Sequence, residues 1–184
     1  ILVGKSIREE IACNLGVSVP TLLLIDPTSA CNLRCEGCWA GEYNKTDSLE
    51  PELLDRIFQE AKELGIYWIV FSGGEPFAYK PLMDLVANHP DMAFMAYTNG
   101  TLIDEKIADQ LAETANFSPA FSLEGWREQT DARRGEGTFN KVMNAMDLLK
   151  KRGVFFGTSV TATRNNVDIL FSDSFIDFLV DKGA

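Results

Sequence analysis

Three of the chain's four cysteines fall on one short segment, Cys31, Cys35 and Cys38 in a C-x3-C-x2-C spacing, while Cys13 stands well apart. Three thiols on one loop cannot pair off evenly as disulfides, and their density suits metal ligation. A structural zinc site wants a fourth ligand, for which the sequence offers Cys13, ahead of the first strand, and His89, in a loop after the second helix. A cubane iron–sulfur cluster has four irons, so three thiolates leave one iron open to another ligand, and an open iron is a site for chemistry. Three further polar segments follow at intervals: Gly73-Gly74-Glu75-Pro76, Thr98-Asn99-Gly100 and Ser122 to Gly125. Adjacent glycines let backbone carbonyls approach a ligand ammonium closely, and Glu75 could accept from the same group.

The elements that must position these residues follow a strand–helix rhythm. The first strand is expected over Thr21–Asp26, apolar enough to be covered on both faces, and it opens into the cysteine loop. A helix over Pro51–Leu64 carries Leu54, Ile57, Phe58 and Ala61 in one stripe, with Pro51 in its first turn and Gly65 as its stop. The unit then repeats: strand Tyr67–Ser72, helix Pro81–Asn88, strand Met92–Thr98, a helix opened by Asp104, strand Ala120–Leu123, helix Thr138–Arg152, strand Val154–Ala162 and helix Leu170–Lys182. Five such units in series imply a parallel sheet. Periodicity does not choose between an open doubly wound sheet and a barrel, but in either the polar segments share the rim at the C-terminal ends of the strands. Residues 1–20 form a lead-in whose amphipathic stretch Ile7–Leu15 should pack across the bottom or edge of the sheet. Residues 21–184 form the core domain, and the domain is expected to continue beyond Ala184.

The balance of 17 basic and 27 acidic residues gives a net charge of −10, which opposes binding by phosphate neutralisation, so no nucleic-acid partner is expected. With 46% hydrophobic residues the chain has the material for a core. No apolar run reaches the roughly 18 residues of a membrane span, and the first residues lack the order of a signal peptide, so a soluble cytoplasmic protein without a membrane partner is expected.

The run Cys31-Asn32-Leu33-Arg34-Cys35-Glu36-Gly37-Cys38, directly after a strand, resembles the cluster motif of radical S-adenosylmethionine (SAM) enzymes. Gly73-Gly74-Glu75-Pro76 resembles that family's GGEP turn, Thr98-Asn99-Gly100 its third-strand TNG segment, and Ser122 to Gly125 its fourth-strand SLDG-like segment. Arg134-Gly135-Glu136-Gly137-Thr138-Phe139 is similar to the RG-x-G-x-F segment of the branch with peptide-modifying and cofactor-building, SPASM-like members. The resemblance implies a partial (β/α)6-type TIM-like barrel, here ending after its fifth βα unit. It implies a [4Fe-4S] cluster on Cys31, Cys35 and Cys38, and SAM held by Gly73, Gly74, Glu75, Thr98, Asn99, Ser122, Glu124, Asn165 and Trp39. The implied reaction is reductive cleavage of SAM to a 5′-deoxyadenosyl radical that abstracts hydrogen from a peptide or small-molecule substrate, fed by a low-potential donor such as flavodoxin or ferredoxin. One departure stands out: where much of the family has an aromatic residue before the third cysteine, this chain has Gly37, and Trp39 is the nearest aromatic.

Plainer readings compete. A non-catalytic zinc- or iron–sulfur-binding domain would use the same cysteines, Cys13 reads as a buried small hydrophobe, His89 as exposed, and Arg133-Arg134 as a solvated pair. Because the cluster ligands and the GGEP turn sit on different loops, Glu75→Ala and Gly74→Val should weaken SAM binding while leaving the cluster bound.

Overall fold

The computed structural model describes residues 2–184. Helix α1 (Leu2–Leu15) leads into β1 (Leu23–Ile25), and four more strands follow with helices between them: α2 (Pro51–Glu63), β2 (Trp68–Phe71), α3 (Leu82–Ala87), β3 (Ala93–Thr98), α4 (Glu105–Thr114), β4 (Phe117–Leu123), α5 (Arg127–Arg134), α6 (Thr138–Arg152), β5 (Gly157–Val160), α7 (Val167–Leu170) and α8 (Asp173–Lys182). The strands form one all-parallel sheet in the order β1-β2-β3-β4-β5, with β1 and β5 at its two edges, so it is an open βα array and not a closed barrel.

Each element has a local cause. Pro51 sits in the first turn of α2, where its missing N–H costs nothing, and Leu54, Phe58 and Ala61 are buried on its inner face. The Asp104 carboxylate accepts from the Ile107 amide at 2.9 Å and caps α4. Gly153, at φ +67°, ends α6 in the left-handed conformation that glycine adopts without strain. The core lies between the sheet and the helices, with Phe71 stacked on Phe94 at 5.8 Å between ring centroids and Phe58 edge-on to both. The other face of the sheet is open: Leu24, Tyr97, Ser122 and Ser159 line a pocket there, so β1 is not covered on both faces as its apolar sequence suggests.

Beyond shifts of one or two residues at element ends, four features differ from the sequence pattern. Strand β4 begins at Phe117, three residues before the expected Ala120, with Pro119 inside it. Pro119 pairs with Ala96 of β3, while pairing with β5 starts only at Ala120, so no ladder on that side asks for its absent N–H. Val154 belongs to the turn that closes α6, its amide donating to Leu149 O at 3.0 Å, which shortens β5 to four residues. The last helix is broken between Phe171 and Ser172, and Ser172 Oγ caps the new start by accepting from the Phe175 amide at 3.3 Å. Helix α5 has no apolar stripe to betray it, and only its Thr130 is buried.

Helix α1 is longer than the expected amphipathic stretch, and it docks at the N-terminal ends of the strands, where Arg8 Nη1 donates to Gly65 O at 2.5 Å. Cys13 is exposed on this helix and is not a core residue. His89 is also unlike its sequence reading: it is 3% exposed, its Nε2 lies 2.8 Å from Asp55 Oδ1, and its ring stands edge-on to Phe58. Its Nδ1 is buried with no partner among the described residues. Asp55→Ala would leave both ring nitrogens unpaired in the core, and we expect a loss of about 1–3 kcal/mol in urea unfolding. A change within measurement error would mean that the pair contributes nothing to stability.

Candidate functional site

At the C-terminal ends of the strands the four polar segments meet in one pocket of about 420 Å³, lined by Cys31, Cys35, Cys38, Trp39, Gly73, Gly74, Glu75, Thr98, Asn99, Ser122 and Arg134 among others. The cysteine loop is tied to its neighbours mainly through groups other than its thiols. At its entry, the Gly74 amide donates to Thr28 O at 2.9 Å and the Glu75 amide to Ala30 O at 2.8 Å, which ties the second loop to the first. In its middle, Asn32 accepts from Asn99 Nδ2 at 2.9 Å and donates to Thr101 Oγ1 at 2.7 Å, which ties it to the third. At its end, the Glu36 amide donates to Arg133 O at 2.8 Å.

Glu75 lines the pocket but is only 1% exposed, and both of its carboxylate oxygens already accept from the chain. Its Oε1 accepts from Thr98 Oγ1 at 2.7 Å and from the Phe77 amide at 3.1 Å, and its Oε2 accepts from the Asn99 amide at 2.7 Å. Burial pushes its carboxyl above the usual range, and those three donors pull the other way. Through these bonds Glu75 orders the Thr98-Asn99 turn, and Gly73, at φ +93°, shapes the turn that leads into Glu75.

Glu124, also 1% exposed, is held by Arg133 and Arg134, so these arginines are not a solvated pair. Arg134 Nη1 reaches to 3.9 Å from Cys35 Sγ. Ser122 and Trp39 line the pocket, the latter 62% exposed and edge-on to Tyr43 with centroids 5.5 Å apart. Asn165 lies instead in an adjoining cavity of about 520 Å³, and it is its neighbour Asn166 that is buried, donating to Glu124 O and Thr161 O at 3.0 Å each. Asn32, Arg133, Arg134 and Asn166 are the residues that the sequence reading missed as parts of the site. Only Asn32 and Arg134 had a signal, their places in the Cys31–Cys38 run and in the RG-x-G-x-F segment.

Burial raises the Cys31 and Cys35 thiols above their ordinary range, opposed at Cys31 by the Leu33 amide and Lys45 and at Cys35 by Arg134. Among the described residues, no three His, Cys, Asp or Glu side chains converge closely enough to share one metal ion. Three thiols of one loop that line a common pocket match the three ligands by which a chain can hold a cubane cluster and leave one iron open. Cys13 and His89 lie toward the opposite rim, where α1 docks and β3 begins, so neither can complete a zinc site with the loop. The donor set and the pocket beside it thus fit a cluster with a small polar ligand.

A family model described as the Radical SAM superfamily matches residues 25–167. The chain is 32% identical to an Fe-coproporphyrin III synthase of Methanosarcina barkeri over 76% of its length and 36% of the relative's. It is 31% identical to the mycofactocin maturase MftC of Mycolicibacterium smegmatis over 92% of its length and 44% of the relative's. Among solved structures, SuiB of Streptococcus suis bound to S-adenosylmethionine aligns over 95% of this chain and 40% of its own with a TM-score of 0.79 at 20% identity. Native anSMEcpe with bound AdoMet and a Kp18Cys peptide aligns over 84% of this chain and 49% of its own with a TM-score of 0.68 at 29% identity. The chain spans less than half the length of these relatives.

Proposed function

This chain belongs to the radical SAM superfamily, and from that premise we propose that it carries the cluster- and SAM-binding part of an enzyme that cleaves SAM reductively and uses the product to abstract hydrogen from a substrate. The family works with a [4Fe-4S] cluster and SAM, and its matched relatives are enzymes. When bound, that pair supplies the hard step, one-electron cleavage of SAM to a 5′-deoxyadenosyl radical. The carrying observation is that three thiols on one loop and the Gly73-Gly74 and Thr98-Asn99 turns line a single pocket.

Each group of the chain has a task in this reading. Cys31, Cys35 and Cys38 would ligate three irons and leave the fourth to SAM. The Gly73-Gly74 backbone would receive the methionine end, in a turn held by the first loop through Thr28 and Ala30. Asn99 and Ser122 would flank SAM from the third and fourth strands, with Leu24 and Tyr97 covering the sheet side of the pocket. Trp39, exposed on the rim, is the aromatic group available to pack on adenine in place of the residue that Gly37 lacks. Asn165, in the adjoining cavity, would serve SAM only from its edge.

Residues 21–184 would be the core domain of this unit. A peptide substrate is favoured by the maturase among the relatives and by the peptide bound to the aligned anSMEcpe, and a small molecule is the alternative raised by the coproporphyrin relative. A flavodoxin or ferredoxin would supply the electron. No described helix is long and apolar enough to cross a membrane, which supports a cytoplasmic setting.

Anaerobic reconstitution with iron and sulfide should give about four of each per chain, and dithionite with SAM should then yield 5′-deoxyadenosine. Well-folded protein that carries one zinc and no sulfide would sink this reading and favour the non-catalytic one.

A further inference from the structure

Glu124 lines the adjoining cavity but is 1% exposed and is engaged at both carboxylate oxygens by the chain's own donors. Its Oε1 accepts from Arg133 Nη1 at 2.6 Å and from Arg134 Nη2 and Nε at 2.5 and 3.0 Å, and its Oε2 accepts from the Thr161 amide at 3.1 Å. Its own amide donates to Thr130 Oγ1 and its carbonyl accepts from Asn166 Nδ2. Both arginines continue outward to the cysteine loop. Arg133 Nε donates to Glu36 O at 3.1 Å while Arg133 O accepts from the Glu36 amide, so one residue grips both backbone polar groups of Glu36, the residue after Cys35. Arg134 Nη1 stands against Cys35 Sγ. One carboxylate between two guanidiniums leaves one positive charge, and it is directed at the Cys35 side. Two partly buried guanidiniums would repel each other without the carboxylate between them, so removing Glu124 should free both.

We propose that Glu124 is a positioning residue: it sets Arg133 as a latch on the Cys35–Gly37 half of the loop and Arg134 as a fixed positive charge beside Cys35. The latch stands on the geometry of the chain alone, and the charge matters to a cluster only under the function proposed above.

Two measurements on the full 184-residue chain test it. In metal-free protein followed by hydrogen–deuterium exchange, Glu124→Gln and Arg133→Met should each speed exchange over residues 35–38 by roughly tenfold or more, with α2 and α4 unchanged. Arg133→Met keeps Glu124 paired with Arg134, so it tests the latch even if Glu124→Gln fails to fold. In reconstituted protein, Arg134→Met should lower the cluster's midpoint potential, because reduction adds negative charge that a cation beside Cys35 favours, and Glu124→Gln, which releases Arg134, should lower it too. Arg134→Lys, which keeps a cation for Glu124 to hold, should recover part of what Arg134→Met loses, and a general loosening of the fold would give no such rescue. Wild-type exchange over residues 35–38 in Arg133→Met, or a wild-type potential in Arg134→Met, overturns the proposal. A wild-type chain that takes up no iron and sulfide defeats the functional reading instead, and the exchange data still decide the latch.

Discussion

Alanine at Cys31, Cys35 or Cys38 is expected to leave a folded chain that holds little or no cluster and makes no detectable 5′-deoxyadenosine, a fall on the order of 10³-fold or more. The fold should survive because none of the three belongs to the apolar core: Cys31 and Cys35 are half-buried at the pocket and Cys38 is exposed. Their loop is held by the Glu75–Ala30 and Glu36–Arg133 backbone bonds and by Asn32, none of which involves a thiol. The chemistry should not survive, because three thiolates are all that this loop offers and no other Cys or His stands at this rim. Cys13→Ala is the matched control, an exposed thiol on α1 at the other end of the sheet, and it should match wild type. Iron and sulfide analysis beside circular dichroism would check this, and full cluster content in any one of the three variants would remove that thiol from the ligand set.

The parts of the fold that the sequence made legible are those written in local periods. The α2 stripe of Leu54, Phe58 and Ala61, the cap at Asp104 and the stop at Gly153 each depend on residues within a turn or two, and each lies where the pattern puts it. The convergence of the cysteine loop, the GGEP turn and the TNG turn on one rim was legible for a different reason: successive strands in a parallel sheet all end on the same side. Boundaries failed where a tertiary neighbour overruled the local signal. Pro119 argues against a strand until one sees that only β3 pairs with it there, and α5, with its charged sequence, is fixed by contacts of Thr130, Arg133 and Arg134 with Glu124 and Gly125.

Side-chain roles were the least legible part. A glutamate at a strand end reads as a free ligand-binding group, yet Glu75 and Glu124 are both engaged within the chain by donors whose identity lies elsewhere in the sequence: Thr98 and the Asn99 amide for one, Arg133, Arg134 and the Thr161 amide for the other. His89 shows the same limit, since nothing near it in sequence announces Asp55. A buried polar group must find partners, but the sequence does not say which.

Gly74→Ala, and more so Gly74→Val, is expected to impair the cluster and SAM binding together, not SAM alone as the separation of the two loops would suggest. A Cβ at this position would overlap Ala30 O and stand 2.7 Å from the carbonyl carbons of Ser29 and Ala30, closer than van der Waals contact allows. Those atoms are backbone, so no rotamer change relieves the clash, and the segment that must yield leads straight into Cys31. Moving it also stretches the Gly74–Thr28 and Glu75–Ala30 hydrogen bonds that set the cysteine loop against the second loop. Overpacking of this kind costs about 1–3 kcal/mol, one to two decades in any equilibrium that needs the native arrangement. Gly157→Ala gives the contrast: its Cβ would meet nothing within 4 Å, and alanine restricts the unfolded chain, so stability should hold or rise by a few tenths of a kcal/mol. Iron content and SAM affinity measured on the same preparations would separate the cases. If Gly74→Ala binds a full cluster and loses only SAM, the two loops are mechanically independent; if it loses neither, the packing of Gly74 on Ala30 is not what holds the site together.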